Sequence, residues 1–347
     1  MNFDPTGKDY PLYNTQLAEA RRREKHLMFL NCTKLAALLI IYVVLQRITV
    51  YAYYSVAATA HSGRLILLPT SAQDYLRENQ DFVRSTFFNM AGNLFVVAVS
   101  VAVLLVLARL AFKVDIKDMM RPRAEHIPQG LKWMPLCLLI NLVISYIVAI
   151  LQSFLSTMGV TIPESDFTIN TPDTASIVMQ FVYVILLGPL AEELVYRGLI
   201  LTLIKPFGKW LAVFVSALIF GLMHGNIPQM ASSFASALVM GVVAVQCGSI
   251  IPTLVIHICN NLMASFLDFS DAFGWEYGLE IFAGIRIVIY LAGGFAVFVY
   301  AYRLRIREEQ YALTTGQRFG QVFTNIPMLI YLAYLIGKIV TDIIKAN

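Results

Sequence analysis

Residues Gly188 to Ile200 read GPLAEELVYRGLI. Within two helical turns this run places Glu192, Glu193 and Arg197 among residues that are otherwise as apolar as a lipid tail. A full charge at the centre of a membrane helix costs ~2.5–3.5 kcal/mol on the insertion scale. Three of them need a reason, and whether the run crosses a membrane is decided by the rest of the chain.

The chain has 347 residues, of which 58% are hydrophobic and only 14% charged, with a mean hydropathy of +0.67. Soluble domains are about 45–50% apolar and about 25% charged. The apolar excess falls in blocks of about 18 to 26 residues, the length that carries a helix across a hydrocarbon core ~30 Å thick. The composition predicts an all-α, polytopic membrane bundle of about nine transmembrane helices. They run near 35–58, 90–112, 134–156, 176–203, 209–226, 230–247, 250–268, 280–302 and 326–344. Four regions follow: a polar, basic tail (1–34), three amino-terminal spans with their loops (35–175), a core (176–268) and two carboxyl-terminal spans (269–347).

The net charge of +4 comes with no basic run interleaved with aromatics, so nucleic acid is not an expected partner. The four cysteines, Cys32, Cys137, Cys247 and Cys259, lie in or beside apolar segments without a CxxC pair and read as small buried hydrophobes. No signal peptide is evident ahead of the first long apolar block. Lys and Arg gather in alternate loops: Arg21 to Lys34, Lys113 to Lys132, Lys205 and Lys209, and Arg303 to Arg318. Loops 157–175 and 269–279 have neither, only acids such as Glu164, Asp166, Asp271 and Glu276, while 61–86 dissents with three arginines. By the positive-inside rule the amino terminus is expected in the cytoplasm and the carboxyl terminus outside.

Five histidines exist, and two of them, His224 and His257, sit inside apolar spans. At ~1.5 Å per residue, Glu192, His224 and His257 can meet at one level, nearer the cytoplasmic half of the membrane. At ~100° per residue, Glu193 and Arg197 share a face as an i,i+4 pair, whereas Glu192 points elsewhere without an intrahelical partner. His257 and Asn261 lie one turn apart, and Asn260 is expected to face away as helix glue. A carboxylate, a histidine on the next span and a His/Asn face on a third are parts for activating water and stabilising an oxyanion. Phe220 reads as packing, and Gln180, Asn93 and Asn141 as interhelical hydrogen-bonding groups. Arg47, Arg286 and Lys338 read as snorkelling or locally paired side chains. Ser233, Ala237 and Gly241 form a small-residue stripe for close helix approach.

The motifs EELVYR (192–197), FGLMH (220–224) and HICNN (257–261) resemble the EExxxR, FxxxH and HxxxN motifs of the CAAX-protease and bacteriocin-processing (CPBP, or Abi) family. That family comprises intramembrane endopeptidases related to the Ras-converting CAAX prenyl proteases. The resemblance covers roughly residues 176–265. It implies a catalytic carboxylate at Glu192, with His224 polarising the attacking water. His257 and Asn261 would stabilise the oxyanion or hold the site together, and Glu193 and Arg197 would support Glu192. The family is often called a metalloprotease. Glu192, His224 and His257 could make a zinc site with an open position, but no HExxH is present, and the reading leans to metal-independent chemistry. The implied substrate is a membrane-associated peptide or protein, prenylated or not, reached through a cavity opening toward the cytoplasmic leaflet. The rival readings are a non-proteolytic scaffold or regulator, such as a bacteriocin-immunity or sensor-kinase partner, and a proton-coupled transporter.

Overall fold

The computed structural model describes residues 11–164, 169, 173–303 and 305–347. Asp166 lies outside the described residues. Every regular element among them is helical. Nine apolar segments organise the bundle: α1 (Pro11–Ser62), α2 (Thr86–Leu110), α3 (Met134–Thr157), α4 (Thr174–Phe207), α5 (Lys209–Met223), α6 (Ile227–Cys247), α7 (Ile251–Ala264), α8 (Gly278–Tyr300) and α9 (Ile326–Ala346). The polar stretch before the first apolar block is not separate from it. From Pro11 onward it is one continuous helix with α1, 52 residues long.

Seven of the nine are long and apolar enough to cross a membrane, which makes this an integral membrane protein; α5 and α7 are not. This corrects the expectation of about nine crossing helices. With 15 and 14 residues, α5 and α7 reach only about 21–22 Å. Local chemistry stops α5. After α5 the chain turns through Gly225 at φ +78°, a conformation costly for a residue with Cβ. Asn226 then caps α6, its side chain accepting from Gln229 N–H at 2.9 Å, with Pro228 in the first turn. A Cβ at Gly225 would fall 2.8 Å from Lys338 Nζ. The α5–α6 tip therefore rests on α9 about twelve residues in, ~18 Å along that helix. The helix that His224 closes thus starts at one end of the bundle and stops inside it.

The small-residue stripe does the packing expected of it. A Cβ on Gly241 would meet Val213 Cγ1 at 2.9 Å, and one on Gly221 would meet Met230 O and Phe234 Cβ at 2.9 Å, so α5 and α6 run in backbone contact. Ser216 Oγ donates to Tyr196 O at 2.7 Å and pins α5 to α4. The main core is shared by α1, α2, α4, α5 and α9 through residues such as Leu35, Leu39, Leu104, Leu199, Phe220 and Leu335. The four cysteines are free thiols, three buried and Cys259 half-buried.

Long-range contacts sort the loops into two ends. At one end Glu24 accepts from Ala312 and Leu313 N–H, Glu308 accepts from Lys209 and Trp210 N–H, Gln246 donates to Arg305 O and Ile250 N–H donates to Met119 O. This end gathers the Lys/Arg-rich loops. At the other, Asn347 is bonded to both backbone groups of Thr161, which places the end of α9 just beyond the carboxyl end of α3. The solitary cations have local partners: Arg47 donates to Tyr334 Oη at 3.4 Å, and Arg286 donates to Tyr146 Oη and lies over the Phe282 ring.

Candidate active site

The register of α4 sets the site. Residues 181–187 and 193–200 are π-helical and bracket a short α segment, Gly188–Glu192. Such widened turns inside α-helices are frequent at functional sites. In the π pattern each N–H reaches five residues back, as Gly188 N–H does to Tyr183 O. The next donor would serve Val184 O, but position 189 is proline and has none. Asn261 supplies it: its Nδ2 donates to Val184 O at 2.8 Å from α7. Asn261 therefore ties α7 to the break in α4 just before the glutamates.

Glu193 and Arg197 form the i,i+4 pair, with Nη1 3.0 Å from Oε1 and both side chains at 0% exposure. Thr253 Oγ1 donates to Glu193 Oε2 at 2.6 Å, and His257 Nδ1 lies 3.0 Å from Glu193 Oε1. The Arg197 guanidinium also lies over the Phe220 ring, 4.3 Å from its centroid, a cation–π contact made in a desolvated site. Phe220 and both histidine rings meet edge-to-face, with centroids 4.9 Å from His224 and 5.6 Å from His257. The phenylalanine of FGLMH, read from the sequence as packing, is the plate on which the cation and both histidines are set. Thr253 escaped the sequence reading altogether; its only signal was a hydroxyl one turn before His257 on an apolar helix.

Glu192 is not paired with Arg197 but faces the cavity. Its side chain keeps 28% of its exposure, and its Oε2 lies 3.5 Å from His257 Nε2. His257 thus sits between the two glutamates, Nδ1 to one and Nε2 to the other. His224 closes α5; its Nδ1 lies 2.8 Å from Phe220 O, one turn back. A carbonyl only accepts, so Nδ1 carries the proton. In the neutral ring Nε2 is then the acceptor, 3.3 Å from Ser233 Oγ.

Glu192, His224 and His257 line one cavity of about 610 Å³ together with Asn260 and Asn261. Asn260 does not face away. Positions i+3 and i+4 from His257 lie on either side of one helix face, so both asparagines share the cavity wall. Asn141 lines it as well, rather than joining helices. Among the described residues no three His, Cys, Asp and Glu side chains are gathered closely enough to hold a metal ion. The set Glu192, His224 and His257 therefore does not form the zinc site that the sequence left open. The expected opening toward the Lys/Arg-rich side is not found either. Each helix lines the cavity only from the level of Glu192 to the opposite end, where Gln152, Glu164 and Asp268 stand.

Such an arrangement can do acid–base chemistry on water. It offers a carboxylate facing a polar cavity, a neutral imidazole acceptor on the same wall, and a second imidazole holding the carboxylate from behind. Residues 174–263 match the family model described as type II CAAX prenyl endopeptidase Rce1-like. The chain matches no curated protein and no solved structure. The matched residues carry all three motifs together with Glu192, Glu193, Arg197, His224, Thr253, His257, Asn260 and Asn261, and the segment that holds these residues is similar to that CAAX-protease family.

Proposed function

We propose that the protein is an intramembrane endopeptidase in which Glu192 activates water to hydrolyse a peptide bond of a membrane-associated substrate. The observation that carries this is the pairing of opposite environments on neighbouring residues. Glu193 is fully buried and neutralised by Arg197, while Glu192 is left facing the cavity. A purely structural polar network would bury and pair both.

In this reading Glu192 takes a proton from the attacking water while His224 Nε2 accepts its second hydrogen bond, aligning a lone pair with the scissile carbonyl. Glu192 then delivers the proton to the leaving amine. His257 holds Glu192 and is itself held by Glu193, so the chain Arg197–Glu193–His257–Glu192 is a positioning relay. Asn261 commits one N–H of its amide to Val184 O, which supports a structural role. Asn260, on the same wall, is the better candidate to donate to the developing oxyanion. The amino terminus and the Lys/Arg-rich end face the cytoplasm in this reading, following the loop charges.

The test is mass-spectrometric mapping of cuts in a diverse peptide pool, prenylated and not, by the purified protein in lipid beside Glu192→Gln. The amide fits the same space, so the variant should fold and lose all cleavage. Turnover retained by Glu192→Gln would remove Glu192 from the chemistry, and a chain with no Glu192-dependent cuts would favour a scaffold.

A further inference from the structure

We infer that the Lys/Arg-rich end holds a binding site for the phosphate of an anionic phospholipid, built by Arg123, Lys205 and Lys209 where the end of α4, the start of α5 and the turn before α7 meet. None of the three lines the cavity, and the inference does not depend on the endopeptidase reading.

Lys205 is the residue that needs a reason. It is half-buried near the end of α4, and the partner of its ammonium among the described residues is Met119 Sδ at 3.9 Å. A thioether is a weak acceptor, and a partly desolvated ammonium calls for an anion. Its basic neighbours add to the cost, since Lys209 and Arg123 both repel it. Asp118 and Glu309 attract it, but each already answers another cation. Asp118 lies 3.6 Å from Arg121, and Glu309 lies 3.0 Å from Lys209. Four cations therefore share two acids, and Lys205, the half-buried one among repelling neighbours, is left without a carboxylate.

The backbone holds these cations together. Met119 O accepts from Ile250 N–H at 2.8 Å, so the segment after α2 is tied to the start of α7 while its sulfur faces Lys205. Gly248 is left-handed at φ +59°, and a Cβ there would meet Arg123 Nη1 at 3.1 Å. The guanidinium thus lies against the turn between α6 and α7. Lys209 opens α5, four positions after Lys205. A phosphate offers oxygens for charge-assisted hydrogen bonds to all three side chains. Depth favours a lipid as its source. The site stands at the end of the spanning segment Thr174–Phe207, and Trp210 beside it is 42% exposed, as indoles are at headgroup level. A phosphate held there would bridge the ends of α4, α5 and α7, the three helices that carry Glu192, His224 and His257.

The test reads lipid retention and needs no activity. The full chain is reconstituted in phosphatidylcholine vesicles holding a minority of phosphatidylglycerol and re-extracted in mild detergent, and the lipid it keeps is quantified by mass spectrometry. Protection of the buried Cys137 from a maleimide checks that each variant is folded. Phosphatidylglycerol should be enriched over its share of the vesicle, and Lys205→Gln and Arg123→Gln should each lower that enrichment about fivefold, the worth of one cation near a lipid surface. Arg123 is exposed, so Arg123→Gln carries the test should Lys205→Gln fail to fold. Lys205→Arg keeps the charge and should keep the lipid. So should Arg64→Gln, which removes an exposed arginine beyond the far end of α1. Excess inorganic phosphate should not displace the lipid, whose acyl chains hold the headgroup in place. Enrichment unchanged in Lys205→Gln and Arg123→Gln, or lost as fully in Arg64→Gln, would overturn the inference by making the charge diffuse. Loss in Lys205→Arg would overturn it in favour of packing, and displacement by inorganic phosphate in favour of a soluble anion.

Discussion

Arg197→Ala is the substitution that most directly tests the logic of the site. Arg197 and Glu193 are both at 0% exposure and 3.0 Å apart, and the guanidinium rests on Phe220 at 4.3 Å. Removing the cation leaves a buried carboxylate with only Thr253 and His257 to answer it. Breaking a buried ion pair from one side costs about 3–5 kcal/mol, roughly two to three and a half powers of ten in the folding equilibrium. The lost cation–π contact lies within that range, not on top of it. Stability would be read by titrating the lipid-solubilised protein with SDS and following the labelling of Cys137, a thiol at 0% exposure. The double variant Glu193→Met, Arg197→Met supplies the control. Replacing both partners of a buried pair by apolar groups is often neutral, so at least half of the lost stability should return. Cleavage should not return, because His257 Nδ1 would have lost its acceptor. A single variant as stable as the parent, or a double variant no better than the single, would refute the claim that the pair's mutual neutralisation is what makes this burial tolerable.

The other expectations are narrower. Asn261→Ala strands Val184 O at the π break and should cost about 1–3 kcal/mol in the same titration; a fully stable but slow variant would move Asn261 into the chemistry. Asn260→Ala should leave stability unchanged and lower turnover by about 10²–10³, the usual cost of one oxyanion donor; an unchanged rate would make Asn260 mere cavity wall. Exhaustive chelation should leave Glu192-dependent cleavage intact, since no three ligands converge among the described residues. Loss with chelator and recovery with zinc would mean that substrate draws Glu192, His224 and His257 together.

The sequence by itself determined the helical membrane architecture, because apolar blocks of spanning length have no other stable arrangement in lipid. It determined which glutamate pairs with Arg197, since helix periodicity puts i and i+4 on one face and turns i+5 away. It also determined the two ends of the bundle, through loop charge alone. What remained illegible depends on interactions between helices or on backbone register. That α5 stops inside the bundle follows from the Gly225 tip meeting Lys338 on α9, a contact 113 positions apart in the chain. The use of Asn261 depends on a π turn whose missing donor is Pro189, and an α register would have left a different carbonyl bare. The place of His257 between two carboxylates and of Phe220 beneath Arg197 required α4, α5 and α7 to be packed against one another. The direction in which the cavity opens was beyond any single helix. Each lining stripe reads as an ordinary polar face until four of them are seen to run the same way, because an enclosed volume is a property of the assembled walls and not of any one of them.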